Sequence, residues 1–282
     1  MGISETRESK SLASYDSIAM SFELPVLRNT LEHVGRIAWL LRDTLQEMGE
    51  HMLKRRFPFR LAYFFEQADR AGVGSVPLIA LVSCFLGLTM ALLTGYQLHP
   101  YGQESLVPKL VAIGFTRELG PLLTGIMVAS RVGAAFTAEL GTMKVSEEVE
   151  AIEAMGLGSL RFLVSPRLAA VFFLMPCLVV VSDLAAMAGG AVISRWAFSI
   201  GLRSFAEDVI RSLVLRDVVS GVLKSLLFGL LVGLIACYKG LGVRGGAAGV
   251  GDATTSSVVT AITNVIAFDT LFNIVLVALF PT

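Results

Sequence analysis

The chain is predicted to be an all-α, polytopic membrane protein with five transmembrane helices. Three observations predict it. Of the 282 residues, 54% are hydrophobic and 16% are charged, against about 25% charged in soluble domains. The mean hydropathy is +0.71. Five apolar stretches long enough to cross a bilayer alternate with short polar connections. Lys plus Arg and Asp plus Glu balance at 23 each, so net charge makes no case for nucleic acid. Cys84, Cys177 and Cys237 lie far apart in apolar runs and read as small buried hydrophobes, with no metal or disulfide spacing.

Three regions follow from composition: a flexible start at 1–25, interfacial amphipathic helices at 26–70, and a five-span domain at 71–282. Residues 1–25 are polar and mixed in charge, and no cleavable signal peptide is expected. Leu27, Leu31, Val34, Ala38, Leu41, Leu45, Met48 and Met52 then recur at helical spacing. That segment carries too many charges to span and suits a helix in the interface, a helix packed on partner helices, or a coiled coil; Lys54, Arg55 and Arg56 directly after it favour the interface. Residues 57–68 make a second short amphipathic piece.

Val76 to Leu98 is 23 residues without a charge, roughly 35 Å as a helix and enough to cross the hydrocarbon core. The second span lies within 106–138, where Gly125, Ala129, Gly133 and Thr137 recur every fourth residue. Small residues at that spacing permit close helix approach, within the chain or across a dimer seam. Leu168–Ser194, Val218–Tyr238 and Ala253–Phe280 are the remaining spans, with a polar amphipathic stretch at 195–217 and a glycine-rich loop at 239–252. Lys and Arg near the span ends number ten on the N-terminal side of the membrane and five on the other. This bias places the N-terminus in the cytoplasm and the C-terminus outside. Arg195, Arg203, Arg211 and Arg216 all fall in one outer connection and oppose that bias.

Six ionisable residues interrupt the spans: Arg117, Glu118, Arg131, Asp183, Lys224 and Asp269. Unpaired, they would cost on the order of 15–20 kcal/mol, as much as the stability of a whole domain. They must pair, face water or sit at a boundary. Arg117, Glu118, Lys224 and Asp269 are expected to form one polar cluster between spans 2, 4 and 5, either lining a substrate cavity or fixing helix register.

The connection between spans 2 and 3 contains SEEVEAIEAMG at 146–156, too short and too acidic to span. Ser146 is placed to N-cap a helix, Glu147 and Glu148 suit its N-terminus, and Gly156 suits its end. Val149, Ile152 and Met155 are expected on one face, with Glu150 and Glu153 on the acidic remainder. It reads as a solvated connector or as a helix that docks into a cytoplasmic partner. GLGVRG at 240–245 matches a dinucleotide fingerprint in letters only, because no strand precedes it. No Walker A, HExxH or GxSxG motif occurs, so the residues themselves do not argue for an enzyme, a metal site or a bound cofactor.

RELGP at 117–121, ASRVGAAFTAELGTMKVSEEVEAIEAMG at 129–156 and SPR at 165–167 resemble the MlaE/YrbE permease family over roughly residues 70 to 282. These are membrane subunits of ABC transporters that work with MCE-domain proteins and move lipids in the envelope of diderm bacteria and in plastids. The resemblance implies a non-enzymatic permease, with ATP bound by a separate cytoplasmic ABC ATPase. It implies a homodimer, a periplasmic MCE-domain partner, a lipid substrate such as phospholipid, a small cytoplasmic accessory subunit, and an inner-membrane location. It makes Ser146, Glu147, Glu148, Val149, Ile152, Glu153 and Met155 the coupling helix that meets the ATPase, and it matches polar positions at Arg117, Glu118, Lys224 and Asp269. The family often has Gln after the first glutamate and Asp-Pro after the helix. Here Glu148 and Gly158-Ser159 stand instead, which alters the helix exit. A proton-coupled secondary transporter using Glu118, Asp183 or Asp269, and a non-transporting scaffold anchored by residues 27–53, are the competing readings.

Overall fold

The computed structural model describes residues 61–279. The stripe at 27–52, the basic run that follows it and the flexible start at 1–25 lie outside the described residues. Among the described residues there are helices and turns and no strand, and five helices are long and apolar enough to cross a membrane.

Helix α1 (Leu61–Gly72) leads through a tight turn into α2 (Val76–Leu98). Pro77 suits the first turn of α2, where a missing N–H costs nothing. Ile79, Ser83, Gly87, Ala91 and Gly95 are the buried positions of α2, one per turn. They face α7 (Ser165–Phe198), and small residues on both helices set the separation. A Cβ on Gly87 would lie 2.0 Å from the Ala186 carbonyl oxygen, and one on Gly189 would lie 2.1 Å from that of Cys84. The hydroxyls of Ser83 and Ser182 bond across the seam at 2.7 Å. Lipid tails give no hydrophobic incentive to associate, so close backbone approach and polar bridges hold such helices together.

The second span is one continuous rod made of α3 (Val107–Gly114), a π-turn at Phe115–Leu119, α4 (Gly120–Val128), a second π-turn at Ala129–Gly133, and α5 (Ala134–Val145). Its small-residue stripe is used inside the chain. Gly125 packs on Phe228 and Val265, and Gly133 packs on Val232. The Thr137 hydroxyl lies 3.1 Å from the Ala236 carbonyl and 2.9 Å from Ser257 Oγ. The partners belong to α9 (Leu215–Leu241) and α10 (Gly246–Leu279).

Helix α6 (Glu148–Ala154) joins spans 2 and 3, and α8 (Leu202–Ser212) joins spans 3 and 4 at the opposite end of the bundle. The first span keeps its predicted limits, Val76–Leu98, whereas the third, fourth and fifth begin before theirs. Helices α7 and α10 have 34 residues each, or about 51 Å against about 30 Å of hydrocarbon. Helix geometry does not stop where hydropathy falls; it stops where the chain turns. The glycine-rich loop predicted at 239–252 is correspondingly short. Helix α9 runs to Leu241 and α10 starts at Gly246, with Gly245 and Gly246 at φ +91° and +72° making the reversal.

Replacing Gly87 by Ala is expected to destabilise the α2–α7 seam by about 1–3 kcal/mol through overpacking. Gly251→Ala, on a helical position whose Cβ meets nothing within 4 Å, is expected to be neutral or mildly stabilising. Thermal unfolding of both variants in the same detergent tests the pair. Equal melting temperatures would contradict the close approach.

Candidate functional site

Lys224 is the centre of the intramembrane polar cluster. It lies on α9, its side chain only 1% exposed, with Nζ 2.7 Å from Glu118 Oε2 and 3.0 Å from Asp269 Oδ1. The contact with Glu118 is a hydrogen bond; that with Asp269 is an ion pair without hydrogen-bond alignment. The Phe272 ring centroid is 5.5 Å from the ammonium. Arg117 Nε is 3.8 Å from Glu118 Oε1. The structure thus brings together all four residues singled out in the sequence, with two positive and two negative charges.

Asn273 is a fifth member that the charge argument missed. Its amide nitrogen donates to Glu118 Oε2 at 2.9 Å and to Asp269 Oδ2 at 3.4 Å. It stands one helical turn beyond Asp269, and that i, i+4 spacing of polar residues in an apolar span was the available signal. The segments Val107–Glu118, Leu215–Lys224 and Asp269–Leu279 each measure about 14–17 Å along the axis, so the cluster sits at one depth, nearer the α8 end. The ammonium is sealed, while Arg117 and Glu118 keep 28% and 35% of their side chains exposed. The arrangement is therefore a fixed charge core with one open, hydrogen-bonding side set in apolar walls.

The π-turn at Phe115–Leu119 carries Arg117 and Glu118. Such a turn inserts a residue into the helical ladder and re-aims the side chains around it. Beside it, Asp183 lies against Gly120, where a Cβ would fall 2.0 Å from Asp183 Oδ1. Asp183 is buried, outside the Lys224 cluster, and its Oδ1 has no hydrogen-bond partner. Arg131 is also apart. It is exposed on the second π-turn, beside Gly74.

A second ionic junction lies at the α6 end. Arg167, assigned to a polar connection in the sequence, is 2% exposed and belongs to α7. It donates to the Leu163 carbonyl at 2.9 Å and to Glu139 at 3.1 Å, and lies 5.8 Å from the Phe136 ring. Arg70 of α1 approaches the other oxygen of Glu139 at 3.9 Å. One carboxylate of α5 therefore faces arginines from α1 and α7.

Helix α6 differs from its sequence reading in two respects. Ser146 does not cap it. The Ser146 hydroxyl bonds to the Thr142 carbonyl at 3.0 Å and so closes α5, and Glu147, at φ +60°, makes the turn into α6. Nor do the three apolar residues bury together. Val149 is buried, Ile152 is half-buried and Met155, the last residue held by a helical bond, to the Ala151 carbonyl at 3.1 Å, is exposed. Gly156 takes φ +76°, and the amides of Gly156 and Leu157 reach back to Glu153 and Ile152. This is the glycine-terminated ending expected of that residue. Ser159 donates to Glu153 at 2.6 Å, so the unusual Gly158-Ser159 exit is tied to the helix. Glu148 accepts from the Ser146 hydroxyl at 3.1 Å. Lys144 bonds Glu150, and this contact holds the Glu150 carboxyl below the ordinary carboxylate range.

Two outcomes are expected. Lys224→Met leaves Glu118 and Asp269 without their cation and should lower stability by about 3–5 kcal/mol. Adding Glu118→Gln and Asp269→Asn should recover most of it, and thermal unfolding in detergent reads both. For Glu150, the depressed folded-state value means the Lys144 contact contributes above the unfolded carboxylate pKa and is lost as pH falls through the folded one. Carboxyl NMR should show Glu150 titrating at higher pH in Lys144→Gln than in the parent.

Comparison with known proteins bears on this geometry. Residues 64–275 match the family described as Permease MlaE. A probable ABC transporter permease protein of Rickettsia typhi is 35% identical over 222 residues, covering 77% of this chain and 86% of the relative. One from a Synechocystis strain is 35% identical over 212 residues, covering 75% and 80%. The chloroplast protein Trigalactosyldiacylglycerol 1 of Arabidopsis thaliana is 33% identical over 204 residues, covering 72% and 58%. With a family match across all five candidate spans and relatives that align over most of their own length, the chain belongs to the MlaE permease family of ABC transporters.

Proposed function

We propose that this permease moves phospholipid or a related lipid between the inner membrane and the outer envelope, driven by a separate cytoplasmic ABC ATPase. The observation that carries the reading is the Lys224 cluster, a charge core opened on one side by Arg117 and Glu118 within apolar walls. A lipid offers the matching chemistry, a polar or phosphate-bearing head and apolar chains. The name of the Arabidopsis relative, which contains a galactolipid, supports lipid as the substrate class.

Helix α6 is the coupling element in this reading. Met155 and Leu157 are exposed beside Glu147, Glu148 and Glu153, an apolar tip in an acidic collar that suits a groove on the ATPase. Val149 roots the helix in the bundle. ATP binds and is hydrolysed on the partner; this chain transmits the movement. Displacement of α6 acts on α5 and α7, the two spans it joins, and both meet at Glu139 and Arg167. The working unit is a homodimer in the inner membrane, with N-termini cytoplasmic and C-termini periplasmic. A periplasmic MCE-domain protein receives or delivers the lipid, and a small cytoplasmic accessory subunit completes the assembly.

The test is affinity purification of the tagged chain in mild detergent, with mass spectrometry of proteins and lipids. An ABC ATPase and enriched phospholipid are expected. Charge reversal at Glu147 and Glu153 together should lower ATPase recovery by about tenfold, or about 1.4 kcal/mol, while lipid stays bound. Recovery of the chain without an ATPase, under conditions that preserve other membrane complexes, would refute the reading.

A further inference from the structure

The four arginines of the connection between spans 3 and 4 have no part in the transport reading, yet they oppose the charge bias of the rest of the chain. The structure shows where they are. Ser199, at φ +56°, turns the chain at the end of α7, and α8 then doubles back against the bundle. Phe205 and Val209 are buried with Ala112 of α3, and Met187 and Ala191 of α7 pack against them. A Cβ on Gly190 would sit 3.5 Å from the Phe205 ring. Ala191 lies about 10 Å below the end of α7. Helix α8 therefore runs beside the upper turns of the spans instead of standing above them.

Its level coincides with a belt of exposed aromatic residues. Tyr96 and Tyr101 at the end of α2 and Trp196 at the end of α7 are 78%, 77% and 86% exposed. Tyrosine and tryptophan so placed mark the boundary between hydrocarbon and headgroups. The outward side of α8 and its flanks combines exposed apolar side chains (Leu202, Ile210, Leu215) with exposed Arg195, Arg203 and Arg211. Arg203 is paired with Glu207 at 3.0 Å. Arg195 and Arg211 have neither an ion pair nor a hydrogen bond among the described residues. Of the acidic neighbours, Asp217 is buried at the start of α9, where it accepts from the Val214 amide at 3.4 Å, and Asp208 is half-buried.

We propose that α8 and the adjoining end of α7 form an interfacial element that binds the phosphate groups of anionic phospholipids in the adjoining leaflet through Arg195 of α7 and Arg211 of α8, with Trp196 of α7 and Ile210 of α8 seated in the bilayer boundary. Apolar anchors beside unpaired cations, on two helix segments at headgroup depth, form the surface that an anionic bilayer complements. The inference does not depend on what the bundle transports, since these lipids belong to the surrounding membrane.

The test uses the full chain in nanodiscs. The sequence has two tryptophans, Trp39 and Trp196, so Trp39→Phe leaves Trp196 as the sole emitter. Its fluorescence is compared in phosphatidylcholine discs containing equal fractions of acyl-brominated phosphatidylglycerol or acyl-brominated phosphatidylcholine. Brominated phosphatidylglycerol should quench more strongly, each arginine enriching anionic lipid about fivefold nearby. Arg195→Gln with Arg211→Gln should remove that excess and leave quenching by phosphatidylcholine unchanged. Ile210→Trp, in a background lacking Trp39 and Trp196, should repeat the pattern from α8 itself. Equal quenching by the two lipids, or an excess that survives the double substitution, would overturn the proposal. Absence of quenching by either would overturn it too, because a second copy or a soluble partner would then cover the face.

Discussion

The ammonium of Lys224 is the group on which much of the bundle depends. A charge in hydrocarbon has to find its counter-charge within the protein. Lys224 finds two, Glu118 from span 2 and Asp269 from span 5, while itself belonging to span 4. Three helices are thereby fixed in rotation and in depth at one point. Asn273 closes the far side by donating to both carboxylates. Register in such a sheath of apolar side chains is otherwise weakly specified, since a leucine slides past a valine at little cost. An ion pair does not slide.

The remaining contacts follow a different rule. The α2–α7 seam uses almost no charge and relies on glycine, alanine and serine to bring backbones together. The same device holds span 2 against α9 and α10 through Gly125, Gly133 and Thr137. At the α6 end, electrostatics return in the Arg70–Glu139–Arg167 junction. The bundle thus has ionic fasteners at two levels and close-packed small-residue seams along its spans.

The spans were legible because bilayer thickness demands a length of apolar chain that soluble helices seldom show. The cluster residues were legible because burying a charge is costly enough to require a partner. Asn273 escaped that reasoning since a neutral amide interrupts hydropathy without suggesting ionic pairing. Arg167 escaped it because a helix beginning at Ser165 was not expected to bury a guanidinium in its first turn. Ser146 was read as the cap of the helix after it, whereas a hydroxyl at a junction serves whichever helix presents a free carbonyl first, here α5. The ends of the first span were read correctly, but the third, fourth and fifth were started too late, because hydropathy reports the surroundings of a segment and hydrogen bonding decides its conformation.

The two π-turns of span 2 have a consequence for how this segment tolerates length changes. Each holds one residue more than an α-helix needs to climb the same height. A deletion of one residue within 115–119 would restore an unbroken α ladder and lose no backbone bond. The flanks would keep nearly the same phase and height, because the π-turn already takes up its extra residue within one turn. The same deletion inside α4 would instead rotate one flank by about 100° against the other. Gly120, pressed against Asp183, and Gly133, pressed against Val232, would then lose their common phase. The π-turns are thus the places where this rod can change length without being twisted.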